Sequence, residues 1–120
     1  MDLAAIALQR VGRDFEFAGQ PVHIECYPHK ITPAYRIRLA ALAKRGEKGQ
    51  EHESEEQKEQ DAAMINDLVP EWSIVMQGVP YPPTYENLLE TPVTVLGRVS
   101  GEIMEVIKEL SNPSGTKSKK

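Results

Sequence analysis

Toward the C-terminus, Leu96, Val99, Ile103, Val106 and Leu110 step by three and four residues, with Ile107 beside them. That spacing lays one apolar stripe along a helix. A stripe of this length has to be covered, by the rest of the chain or by a partner. A chain of 120 residues has few other apolar stripes, so the domain core is the expected use. Thr91-Pro92 supplies a start for this helix, threonine as N-cap and proline at the first helical position. Asn112-Pro113 stops it.

What could lie against that stripe is read from the N-terminal part. Leu3, Ile6, Ala7 and Val11 recur at helical spacing and predict a short helix ended by Gly12. In "DFEFAGQPVHIECYP", Phe15 and Phe17 alternate with polar residues, Ala18-Gly19-Gln20 supplies a turn, and Val22, Ile24 and Cys26 alternate again. This predicts a β-hairpin whose inner face carries those five residues, with Pro21 tolerated at the start of the second strand. Thr32 and Pro33 then open a second helix as N-cap and first helical residue. Its stripe is Tyr35, Leu39 and Leu42, broadened by Ile37 and the alanines, and Gly46 is its expected stop.

From Gly46 to Gln60 there is no aliphatic or aromatic residue. A run of that kind has too little apolar surface to offset its ordering entropy. It reads as an acidic flexible linker, the alternative being a solvated helix extension. A helix resumes near Asp61, with Ala62, Ala63, Ile65, Leu68 and Val69 on one face before Pro70. The organisation is therefore one α+β domain: an N-terminal β-hairpin packed on three to four helices, with a disordered acidic insert. The hairpin and its helix occupy 1–45, the insert 46–60, the remaining helical part 61–112 and a basic tail 113–120.

Between Trp72 and Pro92 lies "WSIVMQGVPYPPTYENLLETP". Its first residues suit a short strand or a helical turn. Pro82 and Pro83 favour extended backbone, and Thr84 caps a short helix from Tyr85 to about Glu90, with Glu86 placed for the helix dipole. Trp72 is expected as a core anchor. Tyr81 and Tyr85 flank the proline pair and are expected to face a partner, since a stiff extended segment binds with little ordering cost. Lys30, Arg36 and Arg38 offer a basic patch for an acidic helical partner, against the alternative of a solvated helix face.

Candidate chemistry is thin. His23, Cys26 and His29 make the pattern H-x2-C-x2-H, but a zinc site needs four converging ligands. Residues three apart on a strand point to opposite faces. Cysteine–histidine nucleophilic catalysis lacks a base and an electropositive setting near Cys26. Glu51, Glu53, Glu55, Glu56 and Glu59 lie in the polar run, where nothing desolvates and fixes them as general acid–base work requires. "RGEKGQ" lacks the strand and the Lys-Ser/Thr end of a phosphate loop. No catalytic residue, cofactor or metal is expected. A net charge of -4 argues against generic nucleic-acid binding. No segment approaches the roughly 20 apolar residues of a membrane span. A lone cysteine suits a reducing compartment, and a cytoplasmic protein is expected.

The order of elements, with Trp72 followed by Pro83, Thr84, Glu86 and Leu88 in a Pro-Thr-x-Glu-x-Leu pattern and then the helix from Pro92, resembles the tail assembly chaperones of long-tailed bacteriophages. The resemblance spans most of the chain outside the charged run and the termini. It implies a non-enzymatic helper that binds the tape measure protein, keeps it soluble while the tail tube polymerises, and is absent from the finished virion. Contact with the tail tube protein, self-association, residence in the host cell cytoplasm and a longer frameshifted product are further expectations of the same resemblance. Leu88 joins Tyr81 and Tyr85 among the candidate contact residues, and Trp72, Thr32, Pro33, Thr84 and Pro92 are the candidate structural ones. The rival expectations are a head–tail connector or tail completion protein of the virion, and a small host regulatory or toxin–antitoxin module.

Overall fold

The computed structural model describes residues 1–111; the basic tail expected over 113–120 lies outside them. The chain forms an α+β fold, an N-terminal hairpin followed by helices. A five-residue helix α1 (Leu3–Ala7) leads into β1 (Val11–Phe17) and β2 (Gln20–Cys26). Val11 and Gly12 thus belong to the strand and not to the first helix, because Val11 pairs with Cys26 across the hairpin. Phe17 pairs with Gln20, so the turn is the two residues Ala18-Gly19. Both have positive φ, 54° and 79°, the type I′ geometry that matches the twist of paired strands.

A 3-10 turn (Pro28–Lys30) precedes α2 (Pro33–Glu47). The Thr32 hydroxyl accepts from the Tyr35 amide at 3.1 Å, with Pro33 in the first turn as expected. After a short loop comes α3 (Glu55–Leu68), capped by Ser54. The strand β3 (Glu71–Trp72) adds to β2, placing Trp72 opposite Ile24 in a three-stranded sheet of order β1-β2-β3. A separate ribbon, β4 (Val75–Met76) and β5 (Val79–Pro80), turns on Gln77-Gly78, again with both φ positive. The helices α4 (Tyr85–Leu89) and α5 (Val93–Ser111) complete the described chain. No helix among the described residues is long and apolar enough to cross a membrane.

The expected stripe of α5 is the centre of the core. Leu96, Val99, Ile103 and Val106 are buried, with Val93 and Gly97, against Ile24, Cys26, Leu39, Leu42, Ile65 and Leu68. Each large aliphatic side chain so enclosed contributes about 1.5–3 kcal/mol over an exposed one. Leu110 falls outside the stripe as an exposed residue, and Ile37, on the far side of α2 from Leu39, is 73% exposed. Neither lies opposite another element, which is why periodicity alone overextends both stripes.

The polar run is not a linker throughout. Gly46 and Glu47 finish α2, and Glu55 to Gln60 are the first turns of α3. What compensates for the missing apolar surface is a set of polar contacts. Asp61, buried, takes Arg45 at 3.0 and 3.2 Å, and the His52 imidazole lies 3.2 Å away. Arg45 also donates to Gln57 at 3.0 Å, and Gln57 accepts from the Glu53 amide at 2.9 Å. The loop between the helices is thereby pinned onto α3.

Gly46 does more than approach the end of a helix. It meets Gly97 where α2 crosses α5; a Cβ built on Gly97 would lie 2.7 Å from Gly46 Cα and 2.8 Å from the Leu42 carbonyl oxygen. Backbone meets backbone here, so no side chain can rotate away. One turn further along α5, a Cβ on Gly101 would rest 4.0 Å from that of Ala43, an ordinary contact. Gly97→Ala is expected to destabilise the fold by about 1–3 kcal/mol by overpacking. Gly101→Ala is expected to stabilise it by roughly 0.5–1 kcal/mol through helix propensity. Urea denaturation of the two variants checks the opposite signs.

Candidate partner-binding surface

The segment from Trp72 to Pro92 is knitted together by its own polar groups. The Trp72 indole N–H donates to the Tyr81 carbonyl, and the Tyr81 hydroxyl donates to the Asn87 carbonyl at 2.8 Å. Asn87 donates through its side-chain amide to the Pro82 carbonyl at 2.8 Å, and Asn66 from α3 reaches the Pro83 carbonyl at 3.1 Å. The Thr84 hydroxyl accepts from the Asn87 amide at 3.2 Å, the expected N-cap. Prolines donate nothing, so these bonds satisfy the carbonyls that an extended proline run leaves open. Trp72 is 9% exposed and belongs to the core, as a core anchor should.

The same bonds turn the expected contact residues inward. Tyr81 and Tyr85 are half-buried against the core, Tyr81 held there by its hydroxyl, and Leu88 is fully buried. Leu88 is therefore a core residue and not a contact residue. Thr91 does not cap α5: its hydroxyl donates back to the Asn87 carbonyl at 2.8 Å, closing α4. The Pro92 carbonyl instead accepts from Val95 and Leu96 and starts α5. Pro92 thus precedes the first helical residue.

The basic trio is dispersed. Lys30 is occupied by Asp67 at 3.0 Å and lies 4.8 Å over the Tyr27 ring. Asp67 also accepts from the Tyr35 hydroxyl at 2.9 Å. Arg36 and Arg38 are exposed on α2, and neither has a carboxylate within ion-pair distance among the described residues.

A different surface remains open. Val75, Met76 and Val79 on the β4–β5 ribbon are 54%, 55% and 63% exposed. Sequence reasoning passed over them because "WSIVM" read as one short element. The signal was present: Trp72 to Tyr85 is a stretch without a charged residue in a chain that is 27% charged, and Gln77-Gly78 is a hairpin turn pair. The ribbon borders an apolar groove of about 300 Å³ whose walls include Phe15, Phe17, Val22, Ile74 and Val95. Arg98 closes one side, stacked 5.0 Å over Phe15 and bonded to Glu102 at 2.9 Å. Arg13 bonds the other Glu102 oxygen at 2.8 Å and Glu109 at 2.7 Å. Burial alone would raise the Glu102 pKa, but the two guanidinium groups outweigh it and hold the carboxyl below its ordinary range. These bonds fasten the hairpin to α5 and set the groove's width.

The H-x2-C-x2-H residues do not converge. Cys26 is buried in the core, where burial pushes its thiol up to about 11, while His29 is exposed in the 3-10 turn. His23 lies on the outer face of the sheet with Nδ1 2.8 Å from Asp14 and Nε2 2.5 Å from Glu25. The hydrogen bond to Glu25, then that to Asp14, raises the His23 pKa above its ordinary 6.5. A histidine raised on folding stabilises the fold fully below pH 6.5, and that contribution is lost as the pH climbs through the folded value. Denaturant stability should accordingly fall between pH 6.5 and higher pH in the native chain. In His23→Gln that part of the slope should vanish, as chemical denaturation across a pH series would show. Compared with known protein families, characterised proteins and solved structures, the chain matches none of them.

Proposed function

We propose that this protein is a tail assembly chaperone of a long-tailed bacteriophage, acting without catalysis to hold the tape measure protein soluble until the tail tube encloses it. The observation that carries the reading is the apolar groove between the hairpin and α5, continuous with the exposed Val75, Met76 and Val79. A long helical protein awaiting assembly exposes apolar stripes that aggregate. A largely apolar groove beside an uncharged ribbon can receive successive turns of such helices without demanding one sequence. The Trp72-to-Leu88 pattern supports the reading from another side, because its members form one bonded unit that presents the ribbon. Action in the host cytoplasm and absence from the mature particle belong to this proposal, as do contact with the tube protein and self-association.

The test is co-expression with the tape measure protein encoded in the same genome, followed by pull-down and measurement of its soluble fraction. The native chain should retain the partner in solution. The triple variant Val75→Thr, Met76→Gln, Val79→Thr alters exposed side chains, each expected to change stability by no more than about 0.5 kcal/mol. It should stay folded and lose the partner to the pellet. A tape measure protein that remains insoluble and unbound beside the native chain contradicts the proposal.

A further inference from the structure

A second groove lies on the opposite flank of α5, where its last turns run beside the start of α2. It encloses about 290 Å³, with Met104 and Ile107 as its apolar floor and Arg36 and Lys108 on its rims. Among the described residues, no carboxylate lines it. Lys108 has Glu105 at 3.3 Å, an exposed i,i+3 pair of the weak kind, and Arg36 has no such partner among the described residues. The element that supplies Arg36 is itself a local exception in a chain of net charge -4: α2 carries Arg36, Arg38, Lys44 and Arg45 against the single carboxylate Glu47.

Three occupants can be compared on charge and composition. A second copy of this face would set Arg36 and Lys108 against their counterparts, a like-charge contact that opposes pairing. The chain that continues from Ser111 carries Lys117, Lys119 and Lys120 and no aliphatic or aromatic residue, so it adds cations and has nothing to fill an apolar floor. The complementary occupant is a foreign helix whose apolar residues enter the groove and whose flanking carboxylates meet the two rims. We propose that the groove between Arg36 and Lys108 is a docking site for an acidic amphipathic helix of another protein. It is separate from the groove beside the β4–β5 ribbon, and it does not rest on the tail-assembly reading.

The probe is a synthetic helical peptide of about 20 residues, leucines at three- and four-residue spacing with glutamates on both sides of the stripe. Its companion has lysine at every glutamate position. Titration into the isotopically labelled native chain, followed by amide shifts, should move Arg36, Met104, Ile107 and Ser111 for the glutamate peptide alone. Binding should weaken as salt rises. The doubly reversed variant Arg36→Glu, Lys108→Glu, with its fold checked by circular dichroism, should bind at least about tenfold more weakly. Four results would overturn the proposal: no binding, equal binding of the lysine peptide, undiminished binding by the reversed variant, or shifts centred on the ribbon instead.

Discussion

The contact between Gly46 and Gly97 sets the distance between the two longest helices, and the rest of the fold is arranged around that distance. With backbones this close, Leu39 and Leu42 reach the same buried layer as Leu96, Val99 and Ile103. The hairpin then covers the opposite side of that layer, fastened by Arg13 pairing with Glu102 and Glu109 and by Arg98 stacked over Phe15. Wider helices would leave voids in that layer, and protein interiors tolerate voids poorly. The grooves on either flank of α5 follow from the same spacing, because each lies where α5 emerges from beneath a neighbour.

The polar cluster of Arg45, Asp61, Gln57 and His52 has a complementary part. Apolar packing holds the first helix pair, but the start of α3 has no apolar face to contribute. A buried ion pair between Arg45 and Asp61, extended by Gln57, ties α3 to α2 instead. Such a pair contributes little by itself to stability, yet breaking it leaves an uncompensated buried charge. The cluster therefore specifies where the acidic segment lies, which its composition does not.

Features that depend on neighbours in sequence were legible from the residues alone. The caps at Thr32 and Thr84, the hairpin with Ile24 and Cys26 inward, the α5 stripe and the core position of Trp72 all rest on spacing or on local turn chemistry. Features that depend on a distant partner were not. Gly46 reads as a helix stop until Gly97 is placed against it, and Asp61 reads as one more acid until Arg45 reaches it. Ser54-x-x-Gln57 did carry a start signal for α3, a polar cap with its return partner, hidden within a run that composition marks as solvated. Tyr81 looked like an outward anchor because its indole and carbonyl partners, Trp72 and Asn87, become neighbours only when the proline segment folds back. The contact surface proposed above therefore lies on the ribbon, where three apolar side chains remain in solvent.

On the proposed reading, the uncharged apolar ribbon would serve a helper that engages its client and is later released, as distinct from a permanent part of the particle. Quantitative mass spectrometry of virions purified from the phage that, on this proposal, encodes the chain tests that distinction most directly. The account predicts that the protein is abundant in infected cells and absent from the finished particle. Its presence at a few copies per virion would contradict the account and mark it as a connector or completion protein.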